Sequence, residues 1–395
     1  MKVVVVGGGI IGASCAAHLA ERGADVTVVD AGSPRFGTSL ANAGHIVVSH
    51  SVPMAAPGMV GQGLRSLLSR DGAFALSSSP GRGAWGWLLG FARNCTQTNV
   101  SYLQPGIDHV LHRSAQLLRE DPESTFTATG LWQVFTSSKD RAATEAAHLR
   151  QHGVQVRAVS DDELRAEPGL TGNVCAAIEL CEDFGVDPAA LWLRMRQRSE
   201  RAGARWEEAA VPDLRDIEAD LVLLAAGAWS PATARSLGVH LPIRAAKGYS
   251  VTLSDVDTPP SRPMLLMDQR TALNPLPGTR RLRLSARYEI TTADDRAIVH
   301  HRIGALIDRA RQAVTLPEVV GDVEPWTGVR PATIDGGPYI GFLPQRLRTP
   351  VLVATGHGMI GTAMAAGTAD LVTRLAFDEA VSDAEARLSP ARVFA

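Results

Sequence analysis

The chain opens on an apolar run, Lys2-Val-Val-Val-Val6, in which β-branched residues follow one another without alternation. Such a run predicts a strand buried on both faces, as in a parallel sheet. Gly7-Gly8-Gly9 interrupts it. The stretch from Ala13 to Arg22 is enriched in Ala, Leu and Glu, predicting a helix stopped by Gly23. A second strand, Asp25-Val-Thr-Val-Val, ends in Asp30. Two later runs have the same shape. Leu-Val-Leu-Leu after Asp220 enters the small-residue turn Ala225-Ala-Gly-Ala, and Val351-Leu-Val-Ala-Thr enters a glycine-rich turn before a helix from about Thr362 to Leu375. This alternation of strand and helix predicts an α/β fold containing a Rossmann-type unit.

Length and composition narrow the picture. At 395 residues the chain exceeds the size of one growing core, so two domains sharing an interface are expected. Apolar residues at 45% and charged residues at 20% fit a soluble globular protein. A net charge of -2 points away from a nucleic-acid partner. Cys15, Cys95, Cys175 and Cys181 are scattered without a CxxC pair, which predicts reduced thiols, no metal site and a cytoplasmic location. The glycines after Val6 break any signal-peptide pattern, and no run approaches the ~18 apolar residues of a membrane span. Trp85-Gly-Trp-Leu-Leu-Gly-Phe91 is read first as core filling, with a peripheral contact to the membrane's inner face or to a partner subunit as the alternative.

Gly7-Gly8-Gly9-Ile10-Ile11-Gly12 matches GxGxxG between a strand and a helix. Gly7 permits the tight turn, Gly9 lets the backbone approach a pyrophosphate, and Gly12 allows close helix–strand packing. The helix start then stabilises phosphate through its free N–H groups and dipole. Asp30 lies 18 residues beyond Gly12, near the spacing of an acid that binds a ribose hydroxyl. The motif alone fits FAD or NAD. Residues 220–231 favour FAD, because an acid, an apolar strand and Ala-Ala-Gly-Ala are what two-domain FAD oxidoreductases use to return to the nucleotide domain. The turn Gly356 to Gly361 and its helix offer a second positive dipole end to the same cofactor.

With those segments in place, the sequence resembles the amine-oxidising FAD oxidoreductases that include D-amino acid oxidase, glycine oxidase and sarcosine oxidase. Within that family the likeness is strongest to the bacterial D-amino acid dehydrogenases. It is carried by Thr38-Ser-Leu-Ala-Asn-Ala-Gly-His45, Pro53-Met-Ala-Ala-Pro-Gly58, Arg93-Asn-Cys-Thr96, Lys247-Gly-Tyr-Ser250, Trp326-Thr-Gly-Val-Arg-Pro331 and Thr355-Gly-His-Gly358. The resemblance implies an FAD domain from residues 1–50, 170–240 and 325–395. It also implies an α+β substrate domain on a mostly antiparallel sheet from 51–169 and 241–324. It implies further that a small amino acid or amine is oxidised, with a quinone, a redox partner or oxygen each fitting as electron acceptor. Cofactor contacts are expected from Gly7, Gly9, Ile10, Ile11, Gly12, Asp30, Ser39, Asn42, Ala43, Gly44, Val211, Ala226, Gly227, Trp229, Gly356, His357, Gly358, Met359, Ile360 and Gly361. The backbone N–H groups around Gly358 and Met359 are expected to meet the flavin pyrimidine.

Arg330 matches the family's carboxylate-binding arginine, and a guanidinium fork suits a planar carboxylate. Tyr249 is expected on a strand, where it offers its hydroxyl to that carboxylate, lines the pocket or packs in a core. His45 stands where the dehydrogenases carry glutamine. It is read as a flavin or substrate contact, a covalent flavin attachment point or a neutral histidine satisfied by backbone. Arg244 and Arg287 depart from the family pattern and, facing the pocket, would favour a more acidic substrate. Residues 204–219 are too few for the family's usual hairpin, and Pro212 disfavours a central strand. Three functions remain on these grounds: a D-amino acid dehydrogenase or oxidase, a tailoring oxidase for an unusual or carrier-bound amine, and a non-catalytic flavin-binding subunit.

Overall fold

Both faces of the first strand are covered, which is why its apolar residues run on without a break. In the computed structural model, which describes residues 1–32, 37–67, 72, 74–127, 130–211, 213–317, 323–344 and 348–394, Lys2–Val6 lies inside a six-stranded sheet. The strand order is Tyr339–Phe342, Val351–Thr355, Leu221–Leu224, Lys2–Val6, Asp25–Asp30 and Arg205–Glu208, parallel throughout except for the first pair. Val3 and Val5 face a core shared with the helices Ile10–Glu21, Gln97–Glu120 and Gly361–Ala376, while Val4 and Val6 face one built from Leu214, Val222, Leu241 and Tyr339. Pro212, expected to bar a central strand, lies outside the described residues.

The first helix begins at Ile10, three residues before the expected Ala13, because the glycine turn closes immediately after Gly9. Gly12 then sits against the turn so closely that a Cβ there would stand 1.9 Å from the Gly7 carbonyl oxygen.

The second sheet has nine strands. Its path runs Val323–Thr333, Ile243–Leu253, Leu282–Thr291, Thr271–Pro275, Met264–Leu266, Leu131–Phe135, Ala176–Leu180 and Val156–Ala158, with Phe74–Leu76 pairing Leu282–Thr291 on a branch. Its pairings are antiparallel except at Phe74–Leu76 and between Met264–Leu266 and Leu131–Phe135. One face packs on the helix His300–Ala310 through Ile303, Leu306 and Ile307. The other face meets the loop after the second Rossmann strand: Ser250 Oγ donates to Ala41 O at 2.6 Å, and buried Arg283 Nη1 donates to Leu40 O at 3.0 Å.

Ala176–Leu180 and Val323–Thr333, from segments expected on the nucleotide side, pair within the large sheet. Conversely, Gln97–Glu120, placed with the substrate side, packs Leu103, Ile107 and Leu111 into the Rossmann core. The Trp85–Phe91 segment divides its apolar residues. Trp87 is buried and donates its indole N–H to Pro242 O at 3.1 Å, whereas Trp85 is 72% exposed and Leu89 54%. Among the described residues, no helix is long and apolar enough to cross a membrane.

Candidate active site

The ends of the parallel strands and the inner face of the large sheet enclose a cleft of about 400 Å³, the size of a small-molecule site. Gly7 turns at φ +106°, and a Cβ there would strike the Ala225 carbonyl oxygen at 2.6 Å. A left-handed turn with backbone so close needs glycine. Gly7, Gly9, Ile10 and Ile11 line the cleft, and Gly12 supports the turn from behind. Asp30 also lines it; its Oδ2 accepts from Gly8 N at 2.5 Å, which fixes the carboxyl at the end of its strand.

The loop after that strand is tied down by its own side chains. Ser39 Oγ accepts from Ile10 N at 2.9 Å, and Asn42 Nδ2 donates to Thr38 O, Ser39 O and Thr362 Oγ1. Asn42 Oδ1 accepts from Gly44 N at 2.7 Å. Ser39 and Asn42 thus line the cleft and join its two helix starts. Ala43 and Gly44 lie outside the lining; Gly44, at φ +74°, is pressed against Val186 O.

Val211, Ala226, Gly227 and Trp229 form a further wall, with Thr355 Oγ1 donating to Gly227 O at 3.1 Å. His357, Gly358, Met359 and Gly361 complete it, while Gly356 and Ile360 shape the turn behind. The Gly358 N–H, expected to meet the flavin, donates to Pro331 O at 3.1 Å, although Gly358 itself lines the cleft. The helix from Gly361 has no side-chain cap, so its first-turn N–H groups are the donors of that wall. His357 is buried, with Nε2 3.1 Å from Thr368 Oγ1, and burial pushes its pKa down to about 3.

Across the cleft, Arg330 extends from Val323–Thr333 over its neighbour strand. Its guanidinium lies on Gly248, where a Cβ would stand 2.1 Å from Nη1, and Nη1 donates to Arg287 O at 3.0 Å. Burial lowers its pKa from the usual arginine value. The Tyr288 ring is 6.0 Å from the guanidinium carbon, and its buried hydroxyl has no partner among the described residues. Tyr288 was not anticipated.

Tyr249 was, with core packing among its expected settings, and strand alternation places its side chain there. Gly248 and Ser250 share the Arg330 face, whereas Tyr249 points to the opposite core with Val251 and accepts from Arg302 Nη1 at 2.6 Å. The register shift between Lys247 and Tyr249 leaves Arg287 and Tyr288 opposite Gly248 alone, with Arg287 at φ +74°. This bulge aims Tyr288 towards Arg330 and turns the Arg287 guanidinium to Glu289 on the far face. Arg287 therefore adds no charge to the cleft. Neither does Arg244, which donates to Arg82 O. Arg296, unremarked in the sequence, does line it, 5.5 Å from the Trp229 ring.

For His45 the structure selects among the expected settings. Its Nε2–H donates to Leu273 O at 2.9 Å, its ring lies outside the cleft lining, and burial lowers its pKa to about 4. It is a neutral histidine satisfied by backbone.

A glycine-turn cradle between parallel strand ends thus faces an arginine on an antiparallel sheet, a geometry suited to a dinucleotide. The chain belongs to the FAD dependent oxidoreductase (DAO) family, whose model matches residues 2–375. It is 30% identical to a D-amino acid dehydrogenase of Rhodopseudomonas palustris (strain HaA2), over 96% of this chain and 94% of that protein. Its fold is shared with glycine oxidase from Geobacillus kaustophilus (TM-score 0.73, 22% identity, 98% of both chains covered). L-amino acid deaminase from Proteus myxofaciens shares it too (TM-score 0.70, 16% identity, covering 99% of this chain and 93% of that one). The cofactor is FAD, and the residues present fit it. The Cβ-free turn suits the pyrophosphate, Asp30 a ribose hydroxyl, and the helix starts at Ile10 and Gly361 a negatively charged ligand.

Proposed function

We propose that the protein oxidises the Cα–N bond of a small amino acid, of D configuration, to an imino acid that water converts to a 2-oxo acid and ammonia. The observation that carries this reading is Arg330, a desolvated guanidinium in the cleft wall. A planar carboxylate accepts both N–H groups of such a fork. The D configuration is taken from the Rhodopseudomonas relative named as a D-amino acid dehydrogenase.

Flavin, when bound, would supply the two-electron acceptor for the hydride lost from Cα. The chain's own residues then have a positioning task. Arg330 anchors the carboxylate, and the loop of Asn42, tied to Thr362 and to Ser250, holds its place on the cleft wall. Departure of hydride from a neutral amine leaves C=N with release of one N–H proton, which needs no strong base. Neutral His357 adds no charge to the cleft wall.

Arg330→Met keeps bulk and removes the fork. The variant is expected to stay yellow and to lose on the order of 2 to 4 kcal/mol in kcat/KM, as for other charge-assisted contacts. Unchanged kcat/KM on every amino acid that the wild type oxidises would exclude Arg330 as the anchor.

A further inference from the structure

Arg330 lines a second hollow on the same face of the large sheet, of about 20 Å³. Strand register builds its floor. Trp326 and Ser285 flank Ser250 in one cross-strand row, and Gly328 faces Gly248 in the neighbouring position. The two glycines leave that row open towards Arg330. Overhead lies the loop of Thr38, Ala41 and Asn42, held down by Ser250 Oγ and by Arg283. A Cβ at Gly328 would already press on Thr38 Cγ2, at 3.1 Å.

The Ser250 hydroxyl is used in holding that loop. Two other polar atoms of the lining are buried without a partner among the described residues: the Trp326 indole N–H and the Ser285 hydroxyl. An unpaired buried donor is costly, so such atoms mark a place where a polar group belongs. A volume near 20 Å³ holds about one water-sized group. One hydroxyl, which both donates and accepts, satisfies the two atoms together. A methyl fills the space and leaves both unpaired.

We propose that this hollow is the side-chain subsite, and that it selects an amino acid with a single short hydroxyl, serine, over its apolar isostere 2-aminobutyrate. The proposal rests on Arg330 as the carboxylate anchor, since Arg330 lines both the cleft and the hollow. The test compares kcat/KM for the two isosteres in the flavin-loaded wild type, Trp326→Phe and Ser285→Ala, with flavin absorbance confirming that each variant is folded. The wild type is expected to prefer serine by roughly tenfold or more, because sites built to hydrogen-bond a hydroxyl reject analogues lacking it. Each variant is expected to bring the ratio towards unity. Turnover of amino acids with no serine preference in the wild type, or a preference that survives both substitutions, would overturn the subsite and leave the proposed reaction standing. Failure of every amino acid to reduce the flavin would overturn the reaction and the subsite with it.

Discussion

His45 and His357 show how much burial decides at a single position. Burial holds their pKa values near 4 and 3, with the bond to Leu273 O only partly opposing it at His45. Both are therefore neutral when folded, while the unfolded chain binds protons below about pH 6.5. Their folded pKa is depressed, so stability is full above about pH 6.5 and is lost as pH falls towards 4 and then 3. For His45 the difference amounts to about 3 kcal/mol. His45→Gln should flatten the fall in melting temperature between pH 6.5 and 4.5; identical slopes for variant and wild type would show that His45 is not kept neutral. The same scale separates what was legible. Arg330 could be read because its motif is specific, and Asp30 because its spacing is. Tyr249 was read from the Lys247–Ser250 motif, but regular pairing with Val323–Thr333 turns it away from Arg330, whereas the bulge at Arg287 brings Tyr288, which no motif marks, onto the Arg330 face.

Among the elements, the strand–turn–helix units were readable because each carries its own signal: an apolar run, then glycines, then a helix-forming stretch. Which sheet a strand joins has no local signature. Ala176–Leu180 and Val323–Thr333 look like any buried strand, and only pairing with Leu131–Phe135 and Ile243–Leu253 assigns them. The helix Gln97–Glu120 is similar, since its apolar face declares burial without naming the partner. The strand pair 243–253 and 323–333 also makes a prediction. A Cβ at Gly248 would collide with the end of the Arg330 side chain, which can swing away, rather than with backbone. Gly248→Ala is expected to fold and retain FAD while KM rises roughly tenfold or more, as for a displaced charged contact. Loss of flavin or an unaltered KM would show that Gly248 does not seat the guanidinium.

At the scale of the whole molecule, two sheets with different jobs meet at one cleft. The parallel sheet presents strand ends and two helix starts, a geometry suited to a nucleotide. The antiparallel sheet presents a face, and a face can carry several side chains aimed at one small molecule. The cofactor half was legible in the sequence because its motifs are contiguous. On the antiparallel side only Arg330 was legible, since Tyr288, Trp326 and Ser285 join it only through cross-strand register. The central claim is that these halves act on one amino acid. It is tested most directly by anaerobic titration of the FAD-loaded protein with a panel of D- and L-amino acids, glycine and amines lacking a carboxylate. Bleaching of the visible flavin band by D-amino acids, and not by the carboxylate-free amines, is the predicted result. A flavin that stays oxidised with every amino acid would contradict it.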